Sequence, residues 1–174
     1  MNVSVDGFIN DRDGAFDWGV PSDEQFRCHL EQIRELEGFL CGRRLYETML
    51  PWETDPAIRV DELRAEFADA WSALPKVVFS GTLDSVEGNA RLARGPLAEE
   101  AAALADRVVA IGGAGLAKVA VELGLVDELR IFRNPVLVGG GTPFLPPVTT
   151  DVPLTLVETR VFASRVVYEH YRRA

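Results

Sequence analysis

Residues 108–124, Val-Val-Ala-Ile-Gly-Gly-Ala-Gly-Leu-Ala-Lys-Val-Ala-Val-Glu-Leu-Gly, decide the fold class. Val108 to Ile111 form a short apolar run without polar alternation, the pattern of a strand buried on both faces of a parallel sheet. The run enters Gly112-Gly113-Ala114-Gly115 without a spacer. Leu116, Val119, Ala120 and Leu123 then recur at helical spacing, and Gly124 takes the position just past the helix end. Strand, glycine turn and amphipathic helix in direct succession define an α/β unit.

The same order appears upstream. Phe39-Leu40-Cys41 reads as a buried strand ending at Gly42, and a short helix carrying Arg43, Arg44, Tyr46 and Met49 stops before Pro51. Val60, Leu63, Phe67, Trp71 and Leu74 mark one face of a longer helix ended by Pro75. Lys76 to Ser80 form the next buried strand, and a helix carrying Leu97, Ala101 and Leu104 starts at Pro96. Near the N-terminus, Val3-Ser4-Val5 reads as the end of a strand. Ser22 with Gln25 forms a capping-box pattern ahead of Phe26, Leu30 and Ile33. The C-terminal third changes character. Leu129 to Val138 is strand-like but contains Pro135, Gly139-Gly140-Gly141 breaks it, and Leu154 to Phe162 with Val166 to Tyr171 read as an antiparallel hairpin. A single domain over residues 1–174 is expected, with no repeat and no linker.

A net charge of −9 disfavours general binding to nucleic acid or an anionic membrane. A single anionic ligand remains compatible if local donors and arginines hold it. No apolar run approaches a membrane span, and no basic leader precedes one. Cys28 and Cys41 have neither a disulfide framework nor metal-ligand spacing, so a cytoplasmic protein without a metal is expected. Cys28 reads as a helix-face residue and Cys41 as a strand core residue. His29 and His170 read as packed or solvated histidines.

Three segments carry the chemistry. Glycines at 112–115, opening a helix, let a backbone approach a pyrophosphate, which the free N–H groups and the dipole favour; a tight turn without a ligand would use the same residues. Arg43 and Arg44 oppose the dipole in the first turn of their helix. A phosphate would compensate them, and so would surface pairing with Glu47. Ser80-Gly81-Thr82 follows a strand's carboxyl end, where open α/β sheets place ligands, although any turn uses serine and glycine. Parallel strands would bring all three segments to one sheet edge.

With these residues assembled, the chain resembles the dihydrofolate reductase-like family, and most closely the group containing the reductase domain of the bifunctional riboflavin-biosynthesis deaminase–reductase. The resemblance runs through Val-Ser-Val-Asp-Gly-Phe-Ile at 3–9, Gly-Arg-Arg-Leu-Tyr-Glu at 42–47 and Lys-Val-Val-Phe-Ser-Gly-Thr-Leu at 76–83. It continues in Gly-Gly-Ala-Gly-Leu at 112–116, Leu-Val-Asp-Glu-Leu at 125–129 and Asn-Pro-Val-Leu-Val-Gly-Gly-Gly-Thr-Pro at 134–143. It implies a three-layer αβα fold with a mostly parallel central sheet and antiparallel C-terminal edge strands. It also implies an NADPH-dependent reductase of a small heterocyclic substrate, acting as a homodimer.

By the same resemblance Gly42, Arg43 and Arg44 would meet cofactor phosphates, and Ser80, Gly81 and Thr82 would lie near the adenosine ribose and its 2′-phosphate. Gly112, Gly113, Ala114, Gly115 and Leu116 would follow the pyrophosphate, and Ile9 would flank the nicotinamide.

Three departures stand out. Gly81 replaces an arginine common in relatives, which puts the 2′-phosphate grip in question. The first strand of relatives begins several residues earlier, and Ser164-Arg165 occupies a turn where glycine is frequent. Hydride reduction of a C=N bond needs a proton, and a carboxyl group in an apolar cleft serves that role. Trp18-Gly19-Val20-Pro21-Ser22-Asp23 resembles the W-x-x-P-x-D stretch of dihydrofolate reductases and makes Asp23 the candidate, although an acidic first turn is also a plain dipole effect. Asp6 is a second candidate, with Asp-Gly equally a turn signal. Dihydrofolate reductase itself and a non-catalytic dimeric NADP-binding protein are the alternatives.

Overall fold

In a computed structural model that describes residues 1–174, the elements run β1 (Asn2–Ser4), α1 (Asp23–Arg34), β2 (Gly38–Gly42), α2 (Arg43–Met49), α3 (Pro51–Thr54), α4 (Glu62–Ala73), β3 (Lys76–Phe79), β4 (Ala90–Leu92), α5 (Leu97–Ala102), β5 (Val109–Gly112), α6 (Ala114–Glu122), β6 (Glu128–Asn134), β7 (Leu154–Val161) and β8 (Val167–Arg173). Two short 3-10 turns cover Asp17–Gly19 and Pro56–Ile58. The residues group into two units, one of Met1–Phe26 with Ala120–Ala174 and one of Arg27–Val119.

The unit of Arg27–Val119 holds a four-stranded sheet in the order β4-β3-β2-β5, every pair parallel. This is the expected α/β core. Cys41, Tyr46 and Val78 are buried together, with Phe39, Leu50, Leu83 and Leu92 packed around them. Trp71 on α4 meets Phe39 edge-on at 5.2 Å. A buried ion pair closes the end of β3 where the chain enters. Lys76 Nζ lies 2.9 Å from Glu53 Oε1 and donates to the carbonyls of Trp71 at 2.6 Å and Leu74 at 2.7 Å. Glu53 Oε2 in turn accepts the Asn89 N–H at 2.8 Å. All three ammonium protons are therefore spent, as a buried charge requires.

The other unit holds a mixed sheet in the order β1-β6-β8-β7, with β1 parallel to β6 and the remaining pairs antiparallel. Phe132 packs against Phe162 and Tyr168, with centroid distances of 5.9 Å and 4.9 Å. The capping box forms as read: Ser22 N donates to Gln25 Oε1 at 3.1 Å, and Gln25 N donates to Ser22 Oγ at 3.4 Å.

Several elements differ from the sequence reading, among them the helix read through Leu104, which ends at Ala102. Val60 stands outside α4 and is exposed, because Asp61 caps the helix by accepting the Arg64 N–H at 2.8 Å. The strand expected to reach Val138 stops at Asn134, since Pro135 has no N–H to continue the ladder. β5 is displaced by one residue, to Val109–Gly112. The short β4 and α3 were not expected at all, being three and four residues long.

Candidate functional site

The three parallel strands β2, β3 and β5 end level with one another. Gly42 pairs with Phe79, and Cys41 pairs with Gly112. The residues that follow each strand, Arg43–Arg44, Ser80–Thr82 and Gly113–Leu116, therefore leave the sheet at its carboxyl edge. This is the convergence that parallel strands require, and the place where open α/β sheets carry ligands.

Four glycines at this edge divide into two kinds. A Cβ on Gly112 would collide with Leu45 and come within 2.9 Å of Phe39, so packing alone excludes a side chain there. Gly113 adopts φ +97, and a Cβ on it would come within 3.3 Å of the Gly42 backbone. These two let α2 and α6 start side by side. Gly81 and Gly115 are different, because a Cβ on either would meet nothing within 4 Å. No neighbour in the folded chain demands glycine at those positions.

α6 begins without a cap. The Ala117 N–H donates to Gly113 O at 2.9 Å as the first helical bond. The N–H groups of Ala114, Gly115 and Leu116 precede it and find no acceptor in the chain. Such donors at a helix start attract an anion. α2 has no side-chain cap either.

The arginines behave differently from each other. Arg43 Nε donates to Glu47 Oε1 at 2.7 Å, while its Nη1 donates to Thr82 Oγ1 at 2.5 Å. Arg44 is exposed, and its side chain has no ion-pair partner. Ser80 folds its own turn: its Oγ accepts the N–H groups of Thr82 at 3.1 Å and Leu83 at 3.0 Å. Arg43 thus bridges the start of α2 and the turn after β3.

Asp6, Ile9 and Asp23 lie in the other unit. Asp6 accepts the N–H groups of Gly139 at 2.8 Å and Val138 at 3.3 Å. The Ser4 hydroxyl and these amides hold its carboxyl below the usual range. Ile9 donates its N–H to Thr142 O at 2.9 Å, and Phe144 donates to Gly7 O at 2.9 Å. The loop after β1 is thereby laced to residues 136–144. Gly139, Gly140 and Gly141 all have positive φ in that stretch, and Gly141 lies against the Asn10 carbonyl. Asp23 is the exposed first residue of α1.

The sequence reading missed this lacing, although three consecutive glycines before Thr142-Pro143 were its visible trace. It also missed the Lys76–Glu53 pair, which no local spacing announces. His170 is buried, with Nε2 3.0 Å from Glu128 Oε2. Burial drives the His29 imidazole down to about 3 and the Cys41 thiol up to about 12, so the first stays neutral and the second unreactive near neutral pH. No group of three or more His, Cys, Asp or Glu side chains is placed to hold a metal ion. No helix is long and apolar enough to cross a membrane.

Parallel strands ending in glycine-led helix starts, joined to an antiparallel C-terminal hairpin, define an α/β protein of the dihydrofolate reductase-like fold. Its sequence matches the RibD C-terminal domain over residues 1–168, and the chain belongs to that family. It is 32% identical over 175 residues to the uncharacterized protein YyaP of Bacillus subtilis (strain 168), covering 96% of this chain and 89% of that protein. Among solved structures it resembles a putative riboflavin biosynthesis protein from Shewanella sp. PV-4, with a TM-score of 0.78, 24% identity and coverage of 100% of this chain and 96% of that one. It also resembles a dihydrofolate reductase from Enterococcus faecalis complexed with NADP(H), with a TM-score of 0.62, 21% identity and coverage of 99% and 92%. At these identities the structural likeness shows the fold.

Proposed function

We propose that this chain is a cytoplasmic reductase that draws hydride from NADPH to reduce a small heterocyclic substrate of the pyrimidine type. The observation that carries the reading is the meeting of three segments at one sheet edge: the unpaired N–H groups of Ala114, Gly115 and Leu116, the arginines 43 and 44, and the hydroxyl turn of Ser80 and Thr82. Each offers donors to phosphate oxygens, and together they suit a ligand with two separated phosphates. Arg44 and the start of α6 would take the pyrophosphate. Arg43, Ser80 and Thr82 would face the adenosine ribose and its phosphate.

Membership of a family whose relatives are reductases supports an enzymatic role, and a dihydrofolate reductase of the same fold is described as a complex with NADP(H). NADPH bound here would supply the hydride. The chain's own task is to grip the dinucleotide and orient it. For proton delivery Asp23 is the candidate, with Asp6 already engaged by Ser4 and the amides of Val138 and Gly139.

Thermal unfolding with NADPH, NADP⁺ and NADH tests the binding half. At about a hundredfold excess over the dissociation constant, a ligand of the native state adds roughly 2.7 kcal/mol of stability. Absence of any shift would remove the cofactor from the proposal. Loss of absorbance at 340 nm with aminopyrimidine, pterin and carbonyl substrates tests turnover. Binding without oxidation of NADPH by any of them would favour a non-catalytic dinucleotide-binding protein instead.

The proposal includes a homodimer. All eight residues of the edge strand β7 are exposed, among them Leu156 at 52% and Val161 at 69%. An open edge of this kind invites pairing with a second copy. A solution mass near twice the 19.1 kDa chain is expected by light scattering, and a monomer at all concentrations would count against it.

A further inference from the structure

We infer that Glu47 is a specificity-determining residue at the adenosine end of this site, restraining the grip on a ribose 2′-phosphate and keeping the preference for NADPH over NADH small. The inference rests on the dinucleotide reading above.

Its basis is how the charge around the Ser80–Thr82 turn is committed. Gly81, at the tip, carries no side chain and has no neighbour within 4 Å of where one would begin. The cation that touches the turn is Arg43, through Nη1 and Thr82 Oγ1 at 2.5 Å. The same guanidinium is held from behind, with Nε on Glu47 Oε1 at 2.7 Å, one helical turn further along α2. A phosphate seated on Arg43 and the Thr82 hydroxyl would sit across one guanidinium from a carboxylate. That separation is well inside the screening length of about 8 Å at physiological salt.

Part of the attraction Arg43 offers is thus already answered by Glu47, and a dianion arriving there meets a negative charge held behind the guanidinium. NADH brings only an uncharged 2′-hydroxyl to this spot and does not encounter the conflict. Arg44 has no carboxylate partner and stays available to the pyrophosphate, which both cofactors share. The two neighbouring arginines therefore have separate consequences: Arg44 governs affinity for either dinucleotide, and the Arg43–Glu47 pair governs the difference between them.

Glu47 and Arg43 are both near half exposed, at 43% and 47%. Neutralising the carboxylate therefore leaves the core untouched. In Glu47→Gln the NADPH/NADH ratio of dissociation constants should shift toward NADPH by roughly threefold to fivefold, the range of a solvent-exposed charge pair. NADH binding itself should move by less than about twofold, and the gain should shrink as salt is raised toward 1 M, where the screening length falls to about 3 Å. Gly81→Arg provides a second test, because it adds a cation at the open tip and should also shift the ratio toward NADPH, in the wild-type and Glu47→Gln backgrounds alike.

Isothermal titration of the full chain with each dinucleotide at two salt concentrations reads all of this. A wild-type chain that binds neither dinucleotide overturns the underlying reading and this inference together. A wild-type chain that binds them, with a ratio unmoved in Glu47→Gln or with both affinities moving in parallel, overturns this inference alone.

Discussion

Replacing Gly115 by alanine should make the protein more stable and its cofactor affinity worse. Gly115 lies in the first turn of α6 with a negative φ, and the added methyl would meet no atom within 4 Å. Nothing must move to admit it. Alanine is favoured over glycine in a helix by up to about 1 kcal/mol, partly through the unfolded chain, and less in a first turn. For a chain of this size 1 kcal/mol corresponds to about 2–4 °C, so the apo Tm should rise by roughly 1–3 °C. The open space that accepts the methyl is also where the free N–H groups of Ala114, Gly115 and Leu116 would meet a pyrophosphate. A methyl holding the phosphate back from these donors should weaken NADPH by about tenfold, or 1.4 kcal/mol, and cut the cofactor-induced shift accordingly. Differential scanning calorimetry with and without NADPH measures both effects in one series. Gly112→Ala is the contrast: its methyl collides with Leu45 and Phe39, so it should destabilise by about 1–3 kcal/mol whatever the ligand does. A Gly115→Ala variant that binds NADPH as tightly as the parent would refute this role, since the glycine would then have no ligand to serve.

Other parts of the structure make their own demands. Lys76→Met leaves the Glu53 carboxylate buried without its cation, and breaking such a pair costs about 3–5 kcal/mol; urea unfolding showing a loss below 1 kcal/mol would mean that Glu53 reaches water. Acid should weaken the fold in two stages. Burial lowers the His29 imidazole from 6.5 to about 3, so below pH 6.5 the unfolded chain takes a proton that the native chain refuses, and stability falls with pH down to about 3. Glu100, lowered from 4.5 to about 2 by the Arg91 guanidinium, adds stability that is complete above pH 4.5 and lost as pH drops toward 2. His29→Asn should flatten the upper stage and Glu100→Gln the lower one, as read from Tm against pH; unchanged profiles in both variants would contradict these assignments.

The strand-end segments were legible because each rests on a local pattern. An apolar run followed by glycine and a helical period specifies a strand, a turn and a helix without reference to anything distant. Their convergence followed from the parallel order alone. Residues whose meaning depends on partners far along the chain were not legible. Lys76 reads as the polar first residue of a strand, and only the fold brings Glu53 to it from 23 positions earlier. Asp6 reads as a turn residue or an acid, while its carboxylate in fact holds amides more than 130 positions away. Arg165 adopts φ 66, the left-handed conformation that explains why a glycine would suit that turn, and its neighbour Ser164 reaches Gln25 of the capping box at 2.8 Å. Sequence periodicity carries no record of such pairings.

The glycines show where local reading stops for a more basic reason. In sequence, Gly112, Gly113 and Gly115 form one motif and invite one explanation. In the structure, the Leu45 and Phe39 side chains account for the first, a positive φ against the Gly42 backbone accounts for the second, and the third is left without a cause inside the chain. A glycine with room for a side chain, in a helical turn that alanine would favour, costs stability that no packing repays. Gly81 poses a related question at the neighbouring turn, where the chain keeps open space beside an arginine already committed to Glu47. A protein of net charge −9 can hold an anionic cofactor only through local donors, because distant charges are screened within about 8 Å. The two open glycines, the unspent N–H groups of α6 and the free Arg44 are such local features, and they stand at the same sheet edge. For the proposed cofactor, the chain's overall acidity would act on the rate of encounter and on unwanted anions, while the choice between two dinucleotides that differ by one phosphate would fall to the carboxylate behind Arg43.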